Sequence, residues 1–217
     1  MKAILLDAAG TLFDLAEPVG ETYTRFARTA GFELDPATVE DNFRTAFQEL
    51  APPDYSTSLD GDELERNWWK TMVQRATQIN EGEKFDSLFE KLFLHYEKPS
   101  AWQLYPDTLP FLQAAQKNYR LGVVSNFDQR LLTILAGLKL SPFFEIIISS
   151  STARSQKPEA LIFRIALEKL ALTPHEVIHI GDSRRADFEG ARASGLHAIH
   201  LDRKNGDTLS LEKIRKL

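Results

Sequence analysis

The stretch Ile4-Leu5-Leu6-Asp7-Ala8-Ala9-Gly10-Thr11-Leu12 decides the fold. An apolar run stops at one carboxylate, and a Gly-Thr turn follows almost at once. A run this short and this apolar suits a strand buried on both faces of a parallel sheet. Such a strand delivers Asp7 to the lip of the sheet. Gly10 lets the next residues bend tightly, so that their amides can gather round whatever the carboxylate attacks.

Working outward, residues 3–7 are the first of five apolar runs rich in Ile, Val and Leu. The others are 120–124, 145–149, 176–180 and 196–201. Helix-like segments separate the last four. Leu109 to Lys117 carries apolar residues at helical spacing, and Gln129 to Leu138 follows Asp128, a candidate N-cap. Glu159 to Leu170 follows Lys157-Pro158, with proline where a helix begins. Arg184 to Ser194 stops at Gly195, which suits the position just past a helix end. Strand–helix alternation predicts an α/β, doubly wound, mainly parallel core sheet of the Rossmann-like kind.

Between the first and second runs no strand pattern appears. The spacing predicts helices over 17–30, 36–50, 60–80 and 84–96, broken by Gly31, Asp35 and Ala51-Pro52-Pro53. This is far too long for a plain strand–helix crossover. The expected organisation is therefore a core of residues 1–14 and 101–217, with an all-helical cap of residues 15–100 inserted over the strand ends. Trp68 and Trp69 read as part of that insertion's own core. Residues 149–152 read as a short polar loop, and 212–216 as a charged tail helix or frayed end.

Composition narrows the function. The chain has 217 residues, 43% of them hydrophobic, and a formal net charge of −5. That charge, with no Lys/Arg-rich block, argues against nucleic acid. The sequence contains no cysteine, so disulfides and thiolate metal sites are excluded. No segment approaches the roughly 20 apolar residues needed to cross a bilayer, and the N-terminal apolar stretch is too short for a signal peptide. The expectation is a cytoplasmic protein with no membrane partner. Nothing in the sequence marks an oligomeric interface.

In open α/β sheets, ligands bind at the carboxyl ends of the strands. Four polar groups stand there in order: Asp7, then Ser125-Asn126, then the Ser149 loop leading to Lys157-Pro158, then Gly181-Asp182 with Asp187. Each alone is explained by capping or turning. Their joint recurrence after successive apolar runs is not. This order resembles the four motifs of the haloacid dehalogenase-like hydrolases: Asp-x-Asp-Gly-Thr, a Ser or Thr after a strand, a Lys often followed by Pro, and an acidic pair. An insertion after the first motif is that family's helical cap, so the resemblance covers the whole chain. The wording is also similar to the subgroup called haloacid dehalogenase-like hydrolase domain-containing proteins, where the second motif Asp can be absent.

The resemblance implies a Mg²⁺-dependent hydrolase acting on a small phosphorylated metabolite. Asp7 would be the nucleophile that forms an aspartyl-phosphate, and Lys157 would neutralise charge beside it. Asp7, Asp182 and the Ala9 carbonyl would hold the cation, with Asp187 behind them; oxygen donors of this kind suit Mg²⁺. Ser125, Asn126 and the loop residues Ala8, Gly10 and Thr11 would bind the phosphoryl group, although Thr11 reads equally as a plain turn residue.

One residue departs from the pattern. Ala9 stands where phosphatase relatives place a general acid and base, a group typically worth about 10²–10⁴-fold. Activity should then be weak, or the leaving group should need no proton. Two alternatives share the departure. Haloacid dehalogenases expel halide, which needs no acid, but Phe163 stands where they usually carry tyrosine. Phosphonoacetaldehyde hydrolases need a cap lysine, and no lysine lies between Lys2 and Lys70. A phosphate-binding protein without turnover is the remaining alternative. Arg25, Arg28 and Arg44 are candidates to meet an anionic substrate, or solvated helix residues. His179, between Ile178 and Ile180, reads as a packed strand residue and not a ligand.

Overall fold

A computed structural model describes residues 1–215. It divides the chain into two compact units. One is Met1–Asp14 together with the residues from Gln103 onward, and the other is Leu15–Trp102.

The first unit is built on β1 (Ala3–Leu6), β4 (Arg120–Ser125), β5 (Ile146–Ser149), β6 (Val177–Gly181) and β7 (His197–His200), in the order β5-β4-β1-β6-β7. Every pairing is parallel, with Leu6 opposite Val123 on one side and Ile180 on the other. This is the doubly wound α/β core that the alternation predicts. β1 and β6 are buried throughout, as central strands covered on both faces should be, while the outer strand β7 is only half-buried. Ala3, Leu5, Val124 and Ile148 pack against Ile162, Phe163, Ala166 and Leu170 of the helix Ala160–Leu170. Strand order reverses direction between β1 and β6, the crevice where such sheets take ligands. Asp7 and Asp182 follow those two strands.

Three details differ from the sequence expectations. The ribbon β2 (Phe13–Leu15) with β3 (Trp102–Leu104) was invisible, because three-residue strands carry no readable alternation. The polar stretch at 149–152 begins a one-turn helix, Ser150–Ala153, in which Ser149 and Thr152 cap one another. The helix expected over 184–194 opens as a π-helix, Arg184–Glu189, and only then continues as Gly190–Ala193. The Phe188 amide reaches back five residues to the Ser183 carbonyl at 3.2 Å. The tail is helical over Leu211–Arg215, and Lys216 lies outside the described residues.

The second unit contains α1 (Val19–Thr29), α2 (Pro36–Glu49), α3 (Gly61–Thr77) and α4 (Glu83–His95). Asp35 caps α2 by accepting from the Thr38 amide at 2.8 Å, with Pro36 at the first helical position. Tyr23, Val39, Val73, Phe85, Leu88 and Leu92 form its core, and Trp69 packs against that cluster. No helix among the described residues is long and apolar enough to cross a membrane.

Candidate active site

The first unit gathers its chemistry on one edge because four of its parallel strands point the same way. β1 ends and Asp7 begins the loop, its amide held by the Ile180 carbonyl at 2.9 Å. The loop then turns back on itself: the Ala8 carbonyl accepts from Thr11 and Leu12, at 3.2 and 2.7 Å. Gly10 sits at φ +81°, and a Cβ there would lie 2.6 Å from the Asp182 Cγ. Glycine is therefore required twice over, for the backbone angle and for the close approach. Its amide is donated to the Phe13 carbonyl at 2.8 Å. The tight loop thus uses the Gly10 amide, expected to face a phosphoryl oxygen, to close itself.

Lys157 is the hub. Its Nζ donates to Asp7 Oδ1 and to Asp187 Oδ1, each at 2.6 Å, and its side chain is only 2% exposed. Asp187 comes from the π-helical turn, whose extra residue swings it back over β6. The fit is close: a Cβ on Gly181 would meet the Asp187 Cγ at 2.1 Å. Three donors meet the Asp187 carboxylate. Oδ1 also receives His179 Nε2 at 2.7 Å, and Oδ2 receives the Ser183 amide at 2.9 Å.

Electrostatics follow from burial and neighbours. Burial pushes the Asp7 carboxyl up; the Lys157 charge opposes this, Asp187 reinforces it, and the net shift is upward. Burial acts likewise on Asp187. There the Lys157 charge, the His179 hydrogen bond and the positive charge His179 carries when protonated outweigh it and hold the carboxyl well below its usual range. Burial lowers the Lys157 ammonium, but the two carboxylates more than reverse that. Asp182 is raised to about 7 by partial burial and then by the charges of Asp7 and Asp187. Its surface is the most open of the three carboxylates, so water screens part of that repulsion.

These donors fit a hard divalent cation. Asp7, Asp182 and Asp187 each bring one carboxylate oxygen within 4.8 Å of the others. Three carboxylates against one ammonium leave two negative charges in excess. With Asp187 engaged by three donors, Asp7 and Asp182 are the carboxylates left to face an ion.

The other candidates fall into place as follows. Ser125 ends β4, is buried, and adds a hydrogen-bonding pull on Asp7. Asn126 clasps the Lys157 main chain: its Nδ2 donates to the Lys157 carbonyl at 2.9 Å, and its Oδ1 accepts the Lys157 amide at 2.7 Å. Both polar ends of its amide therefore support Lys157. Thr11 is fully buried and its hydroxyl reaches Asp182 Oδ1 at 3.5 Å, the long limit of a hydrogen bond. Asp128 stands one residue before the helix cap Gln129 and is paired, in the interior, with Arg130 at 2.6 Å. Phe163 is wholly buried. In the second unit Arg25, Arg28 and Arg44 are exposed and paired with Glu17, Glu33 and Glu40.

Two contributors were missed. His179, read as mere packing, bonds the acid that holds Lys157. Its place two residues before Gly181 was the one available signal. Arg203 reaches from beyond the last strand to the Thr11 carbonyl at 2.5 Å and to Asp107 at 2.7 Å, with its guanidinium 4.1 Å from the Tyr105 ring centre. No local pattern in the sequence marks it.

Similarity to known proteins agrees with this geometry. A family model described as haloacid dehalogenase-like hydrolase matches residues 1–195. Haloacid dehalogenase-like hydrolase domain-containing protein 3 of Mus musculus is 32% identical over 203 residues, covering 92% of this chain and 81% of that protein. Its counterpart in Danio rerio is 33% identical, covering 98% and 89%. Among solved structures, a HAD phosphatase from Thermococcus onnurineus matches with TM-score 0.66 and 25% identity, over 100% of this chain and 97% of that one. The magnesium-bound putative HAD-hydrolase YfnB from Bacillus subtilis shares the fold, with TM-score 0.74 at 20% identity, over 99% and 97%. By its sequence and its fold, this chain belongs to the haloacid dehalogenase-like hydrolases.

Proposed function

We propose that the protein hydrolyses a small phosphorylated substrate in the presence of Mg²⁺, with Asp7 as the nucleophile. The observation that carries this reading is the buried Asp7–Lys157–Asp187 array, with the more open Asp182 beside it on the carboxyl edge of a parallel sheet.

Mg²⁺ held by Asp7, Asp182 and the Ala9 carbonyl would polarise the phosphoryl oxygens and offset the excess negative charge. Asp7 attacks phosphorus and the leaving oxygen departs with the P–O electron pair, giving an aspartyl-phosphate that water then cleaves. Lys157 keeps Asp7 ionised and aimed. Ser125 and the amides of Ala8 and Ala9, which have no backbone acceptor among the described residues, receive phosphoryl oxygens. The methyl of Ala9 can neither protonate the leaving oxygen nor activate water. The reading therefore favours substrates whose leaving group is a stable anion, such as acyl phosphates, and slow turnover of alkyl phosphates. Selection of substrate is assigned to the inserted helical unit, and the cytoplasm to the working protein.

The test is hydrolysis of acetyl phosphate and of alkyl phosphates by the purified chain, with and without Mg²⁺. Turnover should need the metal and vanish in Asp7→Asn. Ala9→Asp should raise alkyl phosphate turnover more than acetyl phosphate turnover. Metal-independent phosphate release would reject the reading. Halide release from 2-haloacids without metal would replace it with dehalogenation.

A further inference from the structure

His179 is a buried titratable group that the mechanism above does not use. It lies within β6, 0% exposed, with its ring edge-on to Phe163 at 5.3 Å between centres. Nε2 is 2.7 Å from Asp187 Oδ1, while Nδ1 is buried with no hydrogen-bond partner. The two nitrogens thereby fix the tautomer. A carboxylate can only accept, so the proton sits on Nε2, and a second proton on Nδ1 would be an interior N–H with nothing to receive it.

The position of that single donor matters. Asp187 Oδ1 is the same oxygen that receives Lys157 Nζ, which in turn holds Asp7. An ordered chain therefore runs His179 to Asp187 to Lys157 to Asp7. A Lys or Arg at residue 179 could also donate, but it would cancel one of the two excess negative charges beside Asp182. A neutral ring supplies the hydrogen bond and no charge.

We propose that His179 is a positioning residue, an uncharged Nε2–H donor that pins Asp187, and through it Lys157 on Asp7, without using up the negative charge that receives a divalent cation. The catalytic part of this role rests on the function proposed above; the tautomer and the pinning do not.

The experiment has two arms. The first is ¹⁵N–¹H NMR of the histidine rings in the metal-free full chain at neutral pH, with His179 assigned by its loss in His179→Gln. One ring protonated on Nε2 and bare on Nδ1 is expected. An imidazolium, or a proton on Nδ1, overturns the proposal. The second compares His179→Gln, whose amide can still donate, with His179→Leu, which cannot. His179→Leu should lose about 10–100-fold in Mg²⁺ affinity by calorimetry or in kcat for acetyl phosphate, the usual cost of removing an outer hydrogen bond that supports a metal site. His179→Gln should recover most of that loss. Equal losses in both variants, tracking only their stability, would make His179 a packing residue and refute the role. A chain that hydrolyses nothing yet shows the expected ring and the Mg²⁺ affinity difference sinks the proposed function and leaves the pinning intact.

Discussion

Replacing Lys157 by Met removes the one cation that two interior carboxylates share, while keeping the length of the side chain. Breaking a buried ion pair from one side typically costs about 3–5 kcal/mol, because the orphaned charge stays in a poor solvent. Here Lys157 bridges both Asp7 and Asp187 at 2.6 Å, so the upper part of that range applies at neutral pH. The carboxylates have one escape, which is to take up a proton. In the variant their pKa values rise above the unfolded value of about 3.9, so the penalty is absent below that pH and grows as pH climbs. One proton taken up over two pH units is worth about 2.7 kcal/mol, so the loss should shrink by roughly 2–3 kcal/mol between pH 7 and pH 5. Asp182, whose own pKa is raised to about 7, loses stability with rising pH in both proteins and largely drops out of the difference. Urea unfolding at the two pH values measures the loss. It should be followed by circular dichroism, because all three tryptophans lie in residues 15–102 and report on the other unit. At a midpoint shift of about 2–4 °C per kcal/mol for a chain of this size, a neutral-pH loss of about 4–5 kcal/mol corresponds to about 8–20 °C. A loss under 1 kcal/mol at pH 7, or the same loss at both pH values, would refute the shared-cation argument.

Two further outcomes follow from the loop and its neighbours. Gly10→Ala should cost about 1–2 kcal/mol for the left-handed backbone, and more for pushing a methyl to 2.6 Å from Asp182; Gly31→Ala, at φ +85° with nothing within 4 Å, should cost the backbone part alone. Equal losses in urea would show that the Asp182 contact is slack. Because burial and the neighbouring carboxylates raise Asp182 to about 7, protons should compete with Mg²⁺ below that pH, weakening affinity by up to about tenfold per unit in calorimetry. A flat affinity between pH 6 and 8 would remove Asp182 from the binding set.

The features legible in the sequence are those that repeat locally. Continuous apolar runs mark the five parallel strands, because a strand covered on both faces has no polar positions to interrupt it. Polar residues in the loops after those runs marked Asp7, Ser125, Lys157, Asp182 and Asp187, since the sheet brings its strand ends to one edge. What stayed hidden depends on three-dimensional approach. Asn126 resembled a ligand-facing polar residue until its amide was found on the Lys157 backbone. The π turn that aims Asp187 has no signature distinct from an α-helix at the level of residue types. His179 interrupts the apolar run of β6 and still read as packing, because a run records that a side chain is buried and not which group it meets. Arg203 closes on Thr11 from 192 residues away, a separation no periodicity can encode.

The central strand carries a cost in time. β1 is the first part of the sheet to be synthesised, yet its partners are residues 120–123 and 177–180. At a ribosomal pace of about 5–20 residues per second, residues 3–6 wait roughly 10–35 seconds before both neighbours exist. Until the second neighbour is made, β1 keeps a fully apolar edge unpaired, while residues 15–102 already have the contacts of their own unit available. Insertion of a helical unit behind the first strand thus moves the burden of this fold from equilibrium to biogenesis, because it lengthens the interval in which β1 waits for its neighbours.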